Sequence, residues 1–287
     1  MGVVNVTPDS FSDGGRWIET GAAVDHGREL VAAGAGVVDV GGESTRPGAE
    51  RPSAQEERRR VVPVVAALAK EGVVVSVDTM RADVARAALE AGGAIINDVS
   101  GGLADPQMPA LVAESGVPFV VMHWRGHSHD MQSKAVYDDV VAEVCAELRE
   151  RVGALRGAGA TADQLVLDPG IGFSKTAEHN WELLAGLEEV VGLGHPVLLG
   201  TSRKGFLGRV GRREGDERPL DARAVATATT SARAARAGVW SVRVHDVTAT
   251  VDAIDVTTAM GELPAGLAPH PSQEPKQLRT AGGPERG

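Results

Sequence analysis

With 287 residues, 43% of them hydrophobic and 24% charged, the chain is long enough for one large domain with a sizeable core. Its net charge of −10 argues against a nucleic-acid surface and against global steering of anionic substrates, so any anion site has to be local. No apolar run approaches the ~20 residues of a membrane span, no signal segment opens the chain, and a lone Cys145 excludes an internal disulfide and a cysteine-built structural metal site, so a cytoplasmic enzyme is expected.

In chain order, short β-branched runs appear at GVVNV (2–6), GVVDV (36–40), VVVSV (73–77), AIIND (94–98), PFVVM (118–122), LVLD (165–168), PVLLG (196–200) and WSVRV (240–244). Ala-rich segments with helical spacing separate them, as in Val24, Leu30 and Val31 or Val84, Ala88 and Leu89, and glycines close them, as in AAGAG and EAGG. Ser53 followed by Glu56 reads as a capping box, and Pro63 is expected to kink the helix it opens. Cys145 reads as a buried helix residue. Strands apolar on both faces and alternating with helices imply a parallel sheet covered by helices, and eight such units fit a single closed (β/α)8 TIM barrel over residues 1–261; an open doubly wound sheet is the alternative. Residues 211–220 read as a charged surface loop, and 262–287, rich in Pro, Gly and charge, as a disordered tail. The three histidines of HWRGHSHD, His123, His127 and His129, lack metal-ligand spacing and are expected in a solvated loop.

Nearly every run ends on a polar residue: Asn5, Glu43, Asp78, Asn97, His123, Asp168, Ser202 with Lys204, and Arg243 with His245. One such ending merely begins a loop, but eight alike would converge on one mouth at the carboxyl ends of barrel strands. Arg243 and His245, two apart on the last strand, share a face where barrels often hold phosphate; an ion pair with Asp246 is the alternative. NVTPDSFSDGG (5–15) and GGESTRPGA (41–49), with Arg46, read as lid loops or as plain turns.

The ordered motifs NVTPDSFSDGG, DVGGESTRPGA, SVDT, NDVSGG, LDPGIGF, GTSRKGFLG and RVHD resemble the dihydropteroate synthase family over roughly residues 1–260. The resemblance implies a TIM-barrel homodimer that uses Mg²⁺, joins p-aminobenzoate to a pterin pyrophosphate, and is inhibited by sulfonamides. It places the pterin against Asp78, Asn97, Asp168 and Lys204, with Met122 and Phe173 packing on the ring; Met122 and Phe173 serve equally well as core. A carboxylate suits the pterin's amidine-like donor pair, and Asp168 is the choice for that role. For pyrophosphate it implies Asn5, Arg243 and His245, with Asn5 as the Mg²⁺ contact. For p-aminobenzoate it implies Phe11, Thr45, Arg46, Pro47, Ser202 and Gly205, and for catalysis Asp13, Arg46 and Lys204. Gly205 stands where the family often has a hydroxyl or a basic residue, and the chain lacks the short lead-in usual before the first strand. The reaction implied is a dissociative displacement at the pterin methylene. A pterin-binding methyltransferase, a Schiff-base aldolase built on Lys204, and a catalytically silent paralogue are the rival readings.

Overall fold

The computed structural model describes residues 1–7, 16–43, 51–126, 131–213 and 215–263. Each of the eight apolar runs carries a strand: β1 (Gly2–Asn5), β2 (Val38–Gly41), β3 (Val75–Asp78), β4 (Ile95–Asp98), β5 (Phe119–Met122), β6 (Leu165–Asp168), β7 (Leu198–Leu199) and β8 (Ser241–Val242). β1 to β6 pair in sequence order, all parallel, and β7 pairs with β8. Parallel bridges Leu167↔Val197 and Gly2↔Val244 join these two sets at both edges. The ring therefore closes as a (β/α)8 barrel, and the open-sheet alternative, which would leave two unpaired edges, falls away.

β7 and β8 are shorter than their runs suggested. Pro196 has no N–H to give a ladder, and pairing beyond the two-residue strands continues only as single bonds, such as Arg243 N–H to the Leu199 carbonyl at 2.9 Å.

Helices cover the outside: α1 (Arg16–Ala32), α2 (Ala54–Lys70), α3 (Ala82–Glu90), α4 (Met108–Ser115), α5 (Val140–Gly157), α6 (Ala177–Ala185), α7 (Leu187–Val191), α8 (Gly205–Arg209), α9 (Ala224–Arg236) and α10 (Val247–Ala259). Only half of the expected capping box forms at α2: Ser53 Oγ accepts the Glu56 N–H at 3.2 Å, while the Glu56 carboxylate turns to Arg59 and Arg60. α2 runs without a break through Pro63. Cys145 is buried on α5. The loop at 211–220 separates α8 from α9 and is largely exposed. Of the segment expected to form a disordered tail, only 262 and 263 are among the described residues.

Strand residues alternate between two cores, as the pleat requires. Val4, Val38, Val40, Val75, Val77, Ile96, Phe119, Val121, Leu165, Leu167 and Leu199 face the helices. Ile95, Val120, Val166 and Leu198 form a second, much smaller apolar cluster, with Met1, Val37 and Ala94 packed against it. This inner parity also carries Asn5, Asp39, Ser76, Asp78, Asn97, Met122 and Asp168, so the upper barrel interior is polar.

Candidate active site

Strand register alone gathers the first part of the site. Asn5, Gly41, Asp78 and Asn97 are successive partners across β1 to β4, one row at the strand ends, and Met122 pairs with Asp168 across β5 and β6. Gly41 makes room in that row: a Cβ there would lie 3.4 Å from Asp78 Oδ2. Arg243 enters from just past β8 and donates from Nη2 to Asp78 Oδ2 at 2.8 Å and from Nε to Asp39 Oδ2 at 2.6 Å. Its alternative partner, Asp246, instead caps α10 by accepting the Ala249 N–H at 3.0 Å.

Asp39 is a site residue that the sequence reading missed. It is fully buried inside β2, and its Oδ2 also accepts from Asn97 Nδ2 at 3.0 Å. That bond fixes the Asn97 amide with its oxygen turned away from Asp39. The only signal in the sequence was a charged letter inside an apolar run, GVVDV.

Asp168 stands on the far wall. Its Oδ1 accepts the Gly170 N–H at 2.7 Å, the turn-capping role open to it from sequence, and this leaves Oδ2 for other partners. Lys204 is the N-cap residue of α8. Arg203 before it adopts a left-handed φ of 60°, and the Lys204 Nζ donates to the Ile171 carbonyl and lies 4.7 Å from the centre of the Phe173 ring. Gly172, at φ 81°, is required there, since a Cβ would meet Lys204 Cδ at 2.8 Å. Ser202 and His245 join the exits of β7 and β8: Ser202 Oγ lies 2.9 Å from His245 Nδ1 and accepts the His245 N–H at 3.1 Å. Gly205 is exposed, with open space where a side chain would stand.

The electrostatics follow from burying both signs of charge together. Burial lifts Asp78 to about 7 against the pull of Arg243, and lifts Asp168 against the pull of Lys204. Burial also lowers Lys204 to about 8, opposed by Asp168.

The fifth strand exit corrects the sequence reading. His123 is buried, not solvated: its Nε2 is 2.9 Å from Glu147 and its Nδ1 3.0 Å from Lys175 Nζ. Burial holds its imidazole down at about 4, so it is neutral, accepting at Nδ1 and donating from Nε2. His127 and His129 lie outside the described residues, as do Phe11, Asp13, Thr45, Arg46 and Pro47. Glu43, at the second strand exit, accepts from Arg51 Nε at 2.6 Å and from Arg81 Nη1 at 3.4 Å.

Among the described residues no three His, Cys, Asp or Glu side chains converge as a metal cage. The half-buried Asn5 amide, in the row with Asp78, fits an ion such as Mg²⁺ that takes few protein ligands and fills its shell with phosphate oxygens and water. No described helix is long and apolar enough to cross a membrane.

Comparison with known proteins gives a consistent result. The family model described as pterin binding enzyme matches residues 1–245. A dihydropteroate synthase of Mycobacterium leprae is 56% identical over 261 residues, which cover 90% of this chain and 92% of that protein. The solved Xanthomonas albilineans dihydropteroate synthase with 4-aminobenzoic acid is 45% identical, with a TM-score of 0.84 over 92% of this chain and 93% of that one. A Yersinia pestis dihydropteroate synthase in complex with a sulfonamide drug is 39% identical, with a TM-score of 0.83 over 91% and 93%.

Proposed function

The chain belongs to the pterin-binding enzyme family and, within it, to the dihydropteroate synthases, and from that premise we propose how its residues divide the work. As a transferase of this type it condenses p-aminobenzoate with 6-hydroxymethyl-7,8-dihydropterin pyrophosphate and releases pyrophosphate. The observation that carries the reading is the convergence of Asp78, Asn97, Asp168 and Lys204 from four separate strand exits on one barrel mouth.

The pterin's donor edge lies on the open Oδ2 of Asp168, with the oriented Asn97 amide and Asp78 beside it. The Lys204 ammonium, at the ring's acceptor side, exchanges the Ile171 carbonyl for the pterin. Met122 and Phe173 bound the ring's faces. The chemistry then needs help chiefly with the departing pyrophosphate, where negative charge builds. Arg243 and His245 supply cationic and hydrogen-bonding groups to the phosphates, and Asn5 offers its oxygen to Mg²⁺. When bound, Mg²⁺ neutralises charge on the phosphate oxygens. The C–O bond breaks first, the methylene cation conjugates with the ring, and the amine attacks, so no covalent enzyme intermediate forms. Ser202 and the backbone through Gly205 receive the p-aminobenzoate carboxylate, while Phe11, Asp13, Thr45, Arg46 and Pro47 complete that side of the pocket and exclude water. The enzyme acts in the cytoplasm as a homodimer and binds sulfonamides in place of p-aminobenzoate.

The test uses purified protein, both substrates, Mg²⁺, and pterin pyrophosphate labelled with ¹⁸O at the bridging position. Dihydropteroate formation, with bridge-to-nonbridge scrambling in substrate recovered without p-aminobenzoate, is the expected result. No product would leave a silent paralogue standing, and product without scrambling would replace the dissociative step by a concerted one.

A further inference from the structure

Behind the Asp168 wall lies a buried charge with no part in the chemistry above. Lys175 follows β6 by seven residues and is only 3% exposed. Its Nζ has three partners: His123 Nδ1 at 3.0 Å, the Gly170 carbonyl at 3.2 Å and the Phe173 carbonyl at 3.2 Å. Three acceptors match the three protons of an ammonium one for one, and a neutral amine would have only two to give. Burial lowers Lys175 to about 7, yet these acceptors favour the charged form. Neutral His123 passes the link to Glu147 on α5, which Arg125 also holds through Nε at 3.1 Å.

What the ammonium grips is the loop between β6 and α6. Gly170 gives its carbonyl to Lys175 and its N–H to Asp168 Oδ1. Phe173, whose carbonyl Lys175 also holds, sets the ring under Lys204, and Ile171 between them accepts from Lys204. Tyr137 pins the next carbonyl, that of Ser174, at 3.0 Å. The loop has few alternatives of its own, since Gly170, Gly172 and Ser174 all sit at positive φ.

We propose that Lys175 is a positioning residue for the pterin subsite, shaping the 169–174 loop from behind and keeping Asp168 ionised in front. This rests on the assignment of Asp168 to the pterin. The charges facing Asp168 are Lys175 from its own loop, Lys204 from the β7 exit and Arg243 from the β8 exit, all three stabilising the carboxylate. Those facing Lys175 are Asp168, Lys204, Arg125 and Glu147. Removing one of the three cations around Asp168 raises its proton affinity and frees the loop at two carbonyls together.

The experiment is calorimetric titration of 6-hydroxymethylpterin and, separately, inorganic pyrophosphate into wild type and Lys175→Met across a pH series. For K175M we expect about tenfold weaker pterin binding at neutral pH, the scale of one lost charge-assisted hydrogen bond. Its acid limb should move to higher pH, with pyrophosphate binding within about twofold of wild type. Unchanged pterin affinity, or equal loss of both ligands with the acid limb unmoved, would overturn the assignment. Failure of wild type to bind the pterin would instead sink the substrate reading itself. Should K175M not fold, NMR of the ¹⁵N-lysine-labelled wild-type protein decides. A protected three-proton ammonium at Lys175 below about pH 7 that shifts on adding the pterin supports the role, and a neutral amine there overturns it.

Discussion

Arg243→Met offers the sharpest test of the charge cluster under the mouth. The guanidinium bridges Asp39 Oδ2 at 2.6 Å and Asp78 Oδ2 at 2.8 Å, and Asp39 is fully buried, with no hydrogen-bond partner for its Oδ1 among the described residues. Methionine keeps much of the side-chain volume but removes the guanidinium from both carboxylates, leaving Asp39 its bond from Asn97 Nδ2. Breaking a buried pair by removing one partner costs about 3–5 kcal/mol. At urea slopes near 3 kcal/mol per M, that lowers the unfolding midpoint by at least about 1 M. The sign of the pH dependence follows from Asp78. Burial already raises it to about 7, and losing Arg243 removes the charge that lowers it. A carboxylate with a raised folded pKa contributes stability that is lost as pH rises through that value. Below about pH 7 Asp78 is protonated in both folded proteins, so the R243M deficit grows only as pH rises past about 7, where wild type ionises Asp78 beside Arg243 and the variant does not. Asp39→Asn in the same chain removes the orphaned charge, and the double variant regains more than half of the loss. Denaturant midpoints of wild type, both singles and the double close the cycle. An R243M deficit below about 1 kcal/mol, or a double variant as unstable as the two singles summed, would refute the view that these charges hold one another in place.

Asp168→Asn keeps the Gly170 bond by turning its oxygen to the loop, which points an N–H donor at the pterin's donor edge. Losing the charge-assisted acceptor at Oδ2, at about 1.5–3 kcal/mol, weakens pterin binding roughly ten- to a hundredfold by calorimetry, and a change under threefold would contradict Oδ2 as the pterin's acceptor. Lys204, lowered to about 8, loses its proton as pH passes that value, so kcat/KM falls above about pH 8. In Lys204→Gln the residual activity lacks that limb; a limb that survives belongs to another group. Asn5→Ala is expected to raise the Mg²⁺ concentration for half-maximal activity about tenfold, with metal-free pterin binding within twofold of wild type. Equal loss of both would place Asn5 on the ring instead of the ion.

Most of the barrel was legible because its strands are buried on both faces and bounded by turn residues, so apolar runs and strands coincide. β7 and β8 came out short because run length measures burial, whereas a ladder also needs N–H groups and register, and Pro196 supplies no N–H. Asp78, Asn97 and Asp168 could be found because they stand at the ends of their strands or, for Asn97, one residue before the end, where a polar letter interrupts an apolar pattern. Asp39 could not be found that way, since it lies one inward step below the rim, at Gly41 minus two, where a reading that treats both faces of a strand alike sees only a core position. Period-two parity would have set it with Val37 and Gly41, opposite Val38 and Val40.

Parity still does not name a partner, and the partner decides whether a buried carboxylate is tolerable at all. For Asp39 that partner is Arg243, 204 residues away along the chain. The two meet only because the ring closes through Gly2↔Val244, which sets β8 beside β1 and lets a side chain just past the last strand reach the second. Lys175 is hidden for a related reason. It stands seven residues beyond its strand, and only the left-handed turns at Gly170, Gly172 and Ser174 fold it back beneath Asp168. In both cases the hidden residue is a buried charge that reaches its partners only through ring closure or the path of a loop. Local pattern therefore exposes the groups at the rim that face a ligand, while the charges that hold those groups in place become visible only once closure and loop path are known.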